Sequence, residues 1–360
     1  MARERPIDLL VIGGGIVGTW AAYCALEEHH RWRVVLAERS LIGGGTTRFS
    51  LGLSLPLGRT ARQRQMAADS DREYRRLGAG IDGLAIHAVD VCFVVGRSGL
   101  PELKRALSGS GVREIAGAER DALRARLPAL RLARDEVVLG GIAGWCGRPA
   151  EVAVALAERV RAHESAAVWD GATVEAVVPD RDLACATLAD GRELGARRVI
   201  VATGPMLVDG AVAGSATARG IRVKKVVALH FDQSPSPGDP VVFFAEDDAF
   251  LLPALERRQW LLSYRSSVWD PPPDPGTFTV EEGDRVNGLA LIRRRWPELA
   301  GTYVGGRASC DAYSPDWTPL VEAIDDAGRI VLAGGCSGSG FRLAPAIATE
   351  AVARVSAARP

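Results

Sequence analysis

Two glycine-rich turns, more than 300 residues apart, carry the residue types best suited to holding a ligand. The first is GGGIVG, residues 13–18, and the second lies in CSGSGFRLAPA, residues 336–346. Gly13, Gly15 and Gly18 have the GxGxxG spacing of dinucleotide-binding loops. In such loops the glycines permit a tight turn, close approach of the backbone to a pyrophosphate, and close helix packing. The first turn therefore predicts a nucleotide site.

The elements around this turn support the same prediction. The apolar run IDLLVI, residues 7–12, reads as a buried strand, and the segment after the glycines has helical spacing. RVVLAER, residues 33–39, reads as a second strand that ends in Glu38. A carboxylate at this point can accept hydrogen bonds from both ribose hydroxyls, and it would repel a 2′-phosphate.

Two further segments favour FAD over NAD as the nucleotide. SLIGGGTTRFSLG, residues 40–52, is rich in glycine and hydroxyl groups, and an extended flavin cofactor would run past it. ARRVIVATGPM, residues 196–206, reads as another buried strand whose terminal glycine lets the backbone lie against the cofactor.

The amino-acid composition argues against several classes of protein. The chain has 360 residues, 47% apolar and 24% charged, with a formal net charge of zero, so no basic surface excess points to nucleic acid. No apolar run approaches the length of a membrane span. The six cysteines are scattered without a CxxC pair, which predicts a cytoplasmic protein with no disulfide framework and no metal site. Arginine outnumbers lysine 41 to 3, which is typical of a GC-rich bacterial genome.

The order of the motifs resembles one known family. GGGIVG, the acid at position 38, GGGTTR, VIVATG and GCSGSGFRLAPA together resemble the D-amino-acid oxidase (DAO) family of FAD-dependent oxidoreductases. That family includes glycine oxidase, monomeric sarcosine oxidase and D-amino-acid dehydrogenases. The likeness covers nearly the whole chain but is weak around 85–145 and 220–300, where the family keeps its substrate lobe.

The resemblance implies an α/β fold, α+β overall, with two discontinuous domains. A Rossmann-like FAD-binding domain would gather residues 1–85, 145–218 and 308–360. A mostly antiparallel-sheet substrate domain would gather residues 86–144 and 219–307.

The resemblance also implies a set of non-covalent FAD contacts spread over these motifs. The expected contacts are Gly13, Gly15, Ile16, Val17, Gly18, Glu38, Arg39, Gly45, Thr46, Thr47, Arg48, Val174, Ala202, Thr203, Gly204, Gly335, Ser337, Gly338, Gly340, Phe341 and Arg342.

The second glycine turn would then wrap the flavin. IVLAGG, residues 330–335, reads as a strand, and the last helix would follow the turn with Pro345 in its first turn. Its N-terminus would face the flavin N1/C2=O edge and stabilise the negative charge of the reduced form. In sarcosine oxidases a lysine follows GF and contacts the substrate carboxylate. Arg342 holds that position here and would take the same role, or else pair with a nearby acid or carbonyl.

Other cations and polar groups are weaker candidates for the substrate pocket. The catalytic set is Arg342, Tyr264, Arg265 and Arg64, with Arg62, Lys224 and Lys225 as further candidates. Arg62 and Arg64 occupy positions where the family's oxidases carry arginines near the flavin.

The chain departs from the family at three positions. Counting back from the SPD turn at 314–316, the cysteine that links FAD covalently in some sarcosine oxidases falls on Ser309, and Cys310 is one residue late. The arginine that clamps a carboxylate in glycine oxidases falls on Asp311. The lysine that assists the reaction with oxygen falls on Leu261, which leaves oxidase and dehydrogenase open.

These features lead to one hypothesis and its alternatives. The protein would oxidise the C–N bond of an amino acid or secondary amine by hydride transfer to flavin N5, giving an imine, with O2 or another acceptor. Alternatively, it would oxidise a hydroxy acid or a biosynthetic intermediate, or serve as the flavin subunit of a hetero-oligomeric dehydrogenase. A flavin monooxygenase would need an NAD(P)H site, and there is no second GxGxxG.

Overall fold

The computed structural model describes residues 7–80, 84, 86–107 and 111–358. The strands are β1 (Leu9–Ile12), β2 (Val34–Ala37), β3 (Leu53–Ser54), β4 (Ile86–Gly96), β5 (Arg113–Glu114), β6 (Glu136–Gly147), β7 (Ala166–Trp169), β8 (Val174–Asp180), β9 (Leu183–Leu188), β10 (Glu193–Ala196), β11 (Val199–Val201), β12 (Arg222–Phe231), β13 (Val241–Phe244), β14 (Ala249–Ala254), β15 (Gln259–Trp269), β16 (Tyr303–Tyr313), β17 (Leu320–Ala323) and β18 (Ile330–Gly334).

The α-helices are α1 (Ile16–Glu28), α2 (Thr46–Phe49), α3 (Ala61–Gly80), α4 (Leu100–Ala106), α5 (Gly117–Arg126), α6 (Pro149–Arg161), α7 (Ala213–Ala218), α8 (Glu282–Arg295), α9 (Pro297–Ala300) and α10 (Gly340–Ser356). Three short 3-10 helices span Gly204–Val208, Leu255–Arg257 and Pro275–Thr277. Within the described part of the chain, no helix is both long and apolar enough to cross a membrane.

A six-stranded sheet contains the strand, turn and helix predicted from the first glycine motif. Its strand order is β17-β18-β11-β1-β2-β7, and every pair is parallel except β17 with β18. The strands β1, β2, β11 and β18 are buried along their whole length, as expected for a parallel sheet covered on both faces.

The two faces of this sheet are covered by different layers. One face packs against α1, α3, α6 and α10 through residues such as Leu9, Leu36 and Val331. The other face, which includes Leu10 and Val35, packs against the three-stranded sheet β10-β9-β8. The carboxyl ends of the parallel strands therefore lie together at one edge of the sheet. This edge is where α/β folds bind ligands.

A second, nine-stranded sheet is antiparallel apart from the β13–β4 pair. Its order is β16-β12-β15-β14-β13-β4-β6-β3, with β5 paired to β6. Alternate residues of β12 show its two faces. Leu229 and Phe231 belong to the apolar cluster under α8 and α9, whereas Val226 and Ala228 line a cavity.

The predicted fold class is confirmed, because a Rossmann-like parallel sheet is combined with a mostly antiparallel one. The predicted domain limits remain a prediction, and residue 85, at one of them, lies outside the described part of the chain. The strands of each sheet come from well-separated segments. The single strand β16 runs across the predicted limit between residues 307 and 308.

Candidate functional site

The first glycine loop is held by two side chains from neighbouring segments. The Gly14 N–H donates to Glu38 Oε2 at 2.7 Å, and the Ile16 N–H donates to Thr47 Oγ1 at 3.0 Å. Ser40 N–H donates to the other Glu38 oxygen at 2.9 Å. These bonds fix the loop at the N-terminus of α1, where unpaired N–H groups favour an anion.

The glycines of this loop have distinct structural roles. A Cβ on Gly18 would lie 1.8 Å from the Gly13 carbonyl oxygen, so only glycine allows this contact between helix and loop. Gly13 has a φ of +103°, and a Cβ there would lie 2.5 Å from the Ala202 oxygen. At Gly15 the nearest atom would be Thr47 Oγ1 at 3.2 Å, and this side of the loop faces the cavity.

The second glycine turn lies beside the end of β16. Ser337 and Gly338 have φ values of 52° and 79°, and the Ser337 N–H donates to the Ala312 carbonyl at 2.9 Å. Asp311 accepts a hydrogen bond from Gly338 N–H at 2.8 Å. The turn leads directly into α10, whose first residue is Gly340.

The expectation that Pro345 lies in the first turn of the last helix is wrong. Because α10 begins at Gly340, Pro345 lies inside the helix. A proline there cannot donate to the carbonyl four residues earlier, which belongs to Phe341. The buried hydroxyl of Tyr74, from α3, donates to that carbonyl instead at 2.5 Å, so the proline is accommodated without an unpaired buried group.

A cavity of about 780 Å³ is lined by both glycine turns and by the nine-stranded sheet. Its volume lies within the range of small-molecule and cofactor sites. Most predicted residues line it: Gly13, Gly15, Ile16, Val17, Glu38, Arg39, Gly45, Thr46, Thr47, Val174, Ala202, Thr203, Gly204, Ser337, Gly338, Gly340, Phe341, Arg342, Tyr264 and Arg265.

Four residues of the predicted FAD contacts and catalytic set lie outside this lining. Gly18 packs under the loop, and a Cβ on Gly335 would meet Ile221 Cδ1 at 2.6 Å. Arg48 is exposed, with its guanidinium 5.8 Å from the Phe49 ring centroid. Arg64 donates to the Gly58 carbonyl at 3.2 Å.

Arg342 lines the cavity with its guanidinium anchored at two points. It donates to the Leu57 carbonyl, and its Nη2 donates to Ser339 Oγ at 2.7 Å. No acidic side chain of the described residues forms an ion pair with it. Burial, together with the charge of Arg59, lowers the pKa of Arg342 to about 10, so it remains a cation at neutral pH.

Tyr264 and Arg265 both line the cavity, but their polar groups already have partners. The Tyr264 hydroxyl donates to the Asp284 carbonyl, which is in α8. Arg265 forms an ion pair with Asp248 and lies 4.1 Å from the Trp317 ring centroid.

The three further cations lie outside the lining of the cavity. Lys225 is buried in an ion pair with Asp284 at 2.7 Å. The Lys224 ammonium lies 4.6 Å from the ring centroid of Trp269. Arg62 donates to the Pro319 carbonyl at 2.9 Å and forms an ion pair with Glu350.

Three residues at the positions of departure from the family, 309–311, are consecutive in β16, and the pleat turns them to alternate faces of the sheet. Ser309 and Asp311 line the cavity, whereas Cys310, between them in β16, is buried and does not line it. Burial raises the pKa of the Cys310 thiol to about 12, which keeps it protonated. Leu261 is buried in an apolar cluster.

Sequence reasoning missed four charged residues of the cavity lining: Glu175, Asp209, Asp248 and Arg307. Arg307 is the only cation of these four. It lies in β16, two and four residues before Ser309 and Asp311, and lines the same cavity. The period of two along a strand was the signal that could have found it, because Ser309 and Asp311 were already singled out.

The lining fits the FAD that the motifs predict. The first loop offers a glycine edge without side chains, Glu38 lies at the end of β2, and the second turn lies on the same cavity. Among the described residues there is no cluster of metal-ligating side chains.

Comparison with known proteins agrees with this geometry. The family model described as "DAO: FAD dependent oxidoreductase" matches residues 8–354. No curated protein sequence is significantly similar to this chain.

Several solved structures share the fold. L-proline dehydrogenase from P. horikoshii is 19% identical, with a TM-score of 0.81 over 96% of this chain and 91% of that one. Glycine oxidase from Geobacillus kaustophilus is 17% identical, with a TM-score of 0.77 over 98% and 95%. L-alpha-glycerophosphate oxidase from Mycoplasma pneumoniae, with FAD bound, is 15% identical, with a TM-score of 0.78 over 99% and 97%. From the family match over nearly its whole length, this chain belongs to the DAO family of FAD-dependent oxidoreductases.

Proposed function

We propose that this enzyme oxidises the C–N bond of an amino acid or of a carboxylated secondary amine to an imine. The observation that carries the proposal is Arg342, a cavity cation with no acidic partner among the described residues, next to the second glycine turn. A guanidinium binds a carboxylate through two parallel hydrogen bonds. The names of the similar structures, a proline dehydrogenase and a glycine oxidase, point to the same class of substrate.

In this proposal the residues of the chain bind FAD and the substrate and orient them. The first loop, with Glu38, would hold the adenosine end of FAD, and the turn at 337–340 would hold the flavin end. FAD supplies the two-electron acceptor that the oxidation requires. Arg342 would hold the substrate carboxylate, and its anchors at Leu57 and Ser339 would fix the direction of the guanidinium.

We also propose that FAD is bound without a covalent link and that the enzyme is cytoplasmic. The buried, protonated Cys310 and its absence from the cavity lining support the first point. All six cysteines are free, as expected in a reducing compartment, which supports the second. Acid precipitation should release yellow FAD into the supernatant, and cell fractionation checks the location.

The test of the proposed reaction is an anaerobic absorbance screen of the FAD-loaded enzyme. D- and L-amino acids, N-methyl amino acids, cyclic imino acids and hydroxy acids would be added singly, and air admitted afterwards. Bleaching by an amine class supports the proposal, and recovery in air separates an oxidase from a dehydrogenase. Bleaching by hydroxy acids alone would replace it with oxidation of a C–O bond.

A pair of variants tests the role of Arg342. Arg342→Met should weaken the binding of a carboxylated substrate by about tenfold or more, the effect of removing a charge-assisted hydrogen bond, while FAD remains bound. Arg354→Met, on the exposed side of the same helix, should leave binding unchanged. Equal effects of the two substitutions would contradict the role given to Arg342.

A further inference from the structure

Arg307 is a further cation of the cavity lining, and it belongs to the nine-stranded sheet. It lies near the middle of β16, and its side chain shares one face of the strand with Ser309 and Asp311. The cavity face of this strand thus carries a cation at one point and an acid four residues later.

The guanidinium of Arg307 is poorly satisfied by the protein itself. Its only described hydrogen bond runs from Nη2 to the Ser50 carbonyl at 3.3 Å, and its Nε is buried without a partner. No described acidic side chain forms an ion pair with it. Burial and the nearby charge of Arg257 lower the pKa of Arg307 to about 10, so it is still charged at neutral pH. A buried, charged guanidinium with an unpaired N–H group destabilises the protein unless a hydrogen-bond acceptor pairs with it.

The neighbours of Arg307 in β12 and β15 have small or uncharged side chains, so they supply no negative charge to it. Ala228 is its partner in β12, and Ser263 is the partner of Ala228 in β15, so these two small residues continue the same row across the cavity wall. His230, two residues along β12, has its pKa lowered to about 4 by burial and by Arg307 and Arg257, and is therefore neutral.

Two of the other three arginines that line the cavity differ in this respect. Arg39 has an acidic partner in Asp274, at 3.1 Å, and Arg265 has one in Asp248. Arg342 lacks one, as Arg307 does.

Arg307 and Arg342 differ in their hydrogen-bond acceptors and in their charged neighbours. Arg307 donates to the Ser50 carbonyl and has Arg257 as its charged neighbour. Arg342 instead donates to the Leu57 carbonyl and has Arg59 as its charged neighbour. Each guanidinium is thus anchored to a different backbone carbonyl, and neither lowers the pKa of the other.

We propose that Arg307 is a second anion-binding residue of the cavity, and that the substrate carries an acid group besides the carboxylate held by Arg342. This step rests on the proposed oxidation of an amino acid, and it narrows the substrate class to amino acids or secondary amines with two acid groups. Ala228 and Ser263 leave room for the chain that joins the second acid to the reacting carbon.

The experiment measures binding before turnover. The FAD-loaded enzyme is titrated by calorimetry with succinate, glutarate and adipate, and with the monoamide of each. Each amide keeps the size of its parent acid but removes one charge. We expect at least one diacid to bind about tenfold or more tightly than its monoamide, the loss typical of one charge-assisted hydrogen bond.

The variants assign this preference to a residue. Arg307→Met should abolish the preference for the diacid, and Arg307→Lys should keep part of it, because an ammonium retains the charge but not the planar fork. Arg124→Met, an exposed arginine on α5, is the control and should keep all of it. FAD content and the melting temperature of each variant show whether it is folded.

The outcomes of this binding experiment can be distinguished from the outcomes of the test of the proposed function. Equal affinity for diacid and monoamide, no binding of either, or a preference unchanged in Arg307→Met would overturn the second anion site. The flavin-bleaching screen, extended to aspartate, glutamate and their amides in both enantiomers, tests the reaction itself. A diacid preference that depends on Arg307, without bleaching by any amine, would keep the anion site and reject C–N oxidation.

Discussion

At the scale of single residues, Asp311 is a carboxyl group of the cavity whose pKa is raised. Its two carboxylate oxygens accept from the Gly338 and Ala312 N–H groups, each at 2.8 Å. Burial nevertheless raises the pKa of Asp311 from 3.8 to about 6, because the two backbone donors offset only part of the cost of removing the charge from water. The residue sits where the second glycine turn meets β16.

This raised pKa predicts a pH dependence of stability. Between about pH 4 and pH 6 the folded protein holds a proton on Asp311 that the unfolded chain has released. The contribution of this residue to the free energy of unfolding should therefore fall as pH rises through that window, and stay low above it. Thermal unfolding of the FAD-free enzyme from pH 4 to pH 8 measures this.

Asp311→Asn is the control for that measurement, since the amide does not titrate in this range. The difference in melting temperature between wild type and variant should shift in favour of the variant as pH rises from 4 to 6. A difference that stays constant with pH would show that Asp311 does not titrate there.

At the scale of elements, the glycines of the strand–turn–helix unit from β1 to α1 have two different roles, one in packing and one at the cavity. We expect Gly18→Ala to destabilise the FAD-free protein, because its Cβ would lie 1.8 Å from the backbone oxygen of Gly13. Gly15→Ala should leave that stability nearly unchanged and weaken FAD binding, because its Cβ would project towards the cavity. Thermal unfolding without FAD and FAD titration measure the two effects. Equal loss of FAD-free stability in both variants would contradict the distinction.

The same elements show how much the sequence could predict. The strand, turn and helix around GGGIVG depend on local spacing and were predicted correctly. The binding of a ribose by Glu38 stays a prediction. The last helix was predicted to start too late, because a proline was assigned the first turn. Within the helix, the Phe341 carbonyl that Pro345 cannot bond accepts a hydrogen bond from the hydroxyl of Tyr74, more than 260 residues away, and local spacing could not predict this contact.

The cavity wall was harder to predict for a related reason. Arg307, Ala228 and Ser263 become neighbours only through the register of three strands. The partners of Arg265 and Lys225, which decide whether those cations are free, likewise come from other segments. Residue types indicated which cations existed, but ion pairs between distant segments determine which ones remain available.

At the scale of the whole molecule, the cavity joins segments of both larger sheets. FAD should therefore raise the stability of both together, by about 2.7 kcal/mol at a free concentration one hundred times its dissociation constant. Calorimetric unfolding at increasing FAD concentrations should show one transition whose midpoint temperature rises. Two transitions, of which FAD shifts only one, would show that the sheets unfold independently.

The distance along the chain between the two glycine turns has a consequence for biosynthesis. Gly15 and Ser337 line one cavity, yet about 320 residues separate them, and a ribosome needs about 16–64 s to add that number. During this interval the β1–α1 unit can form next to an incomplete pocket, without α10 to cover its apolar face. The nascent chain therefore has a long stage in which it depends on other protection against aggregation, and cofactor capture comes late in its synthesis.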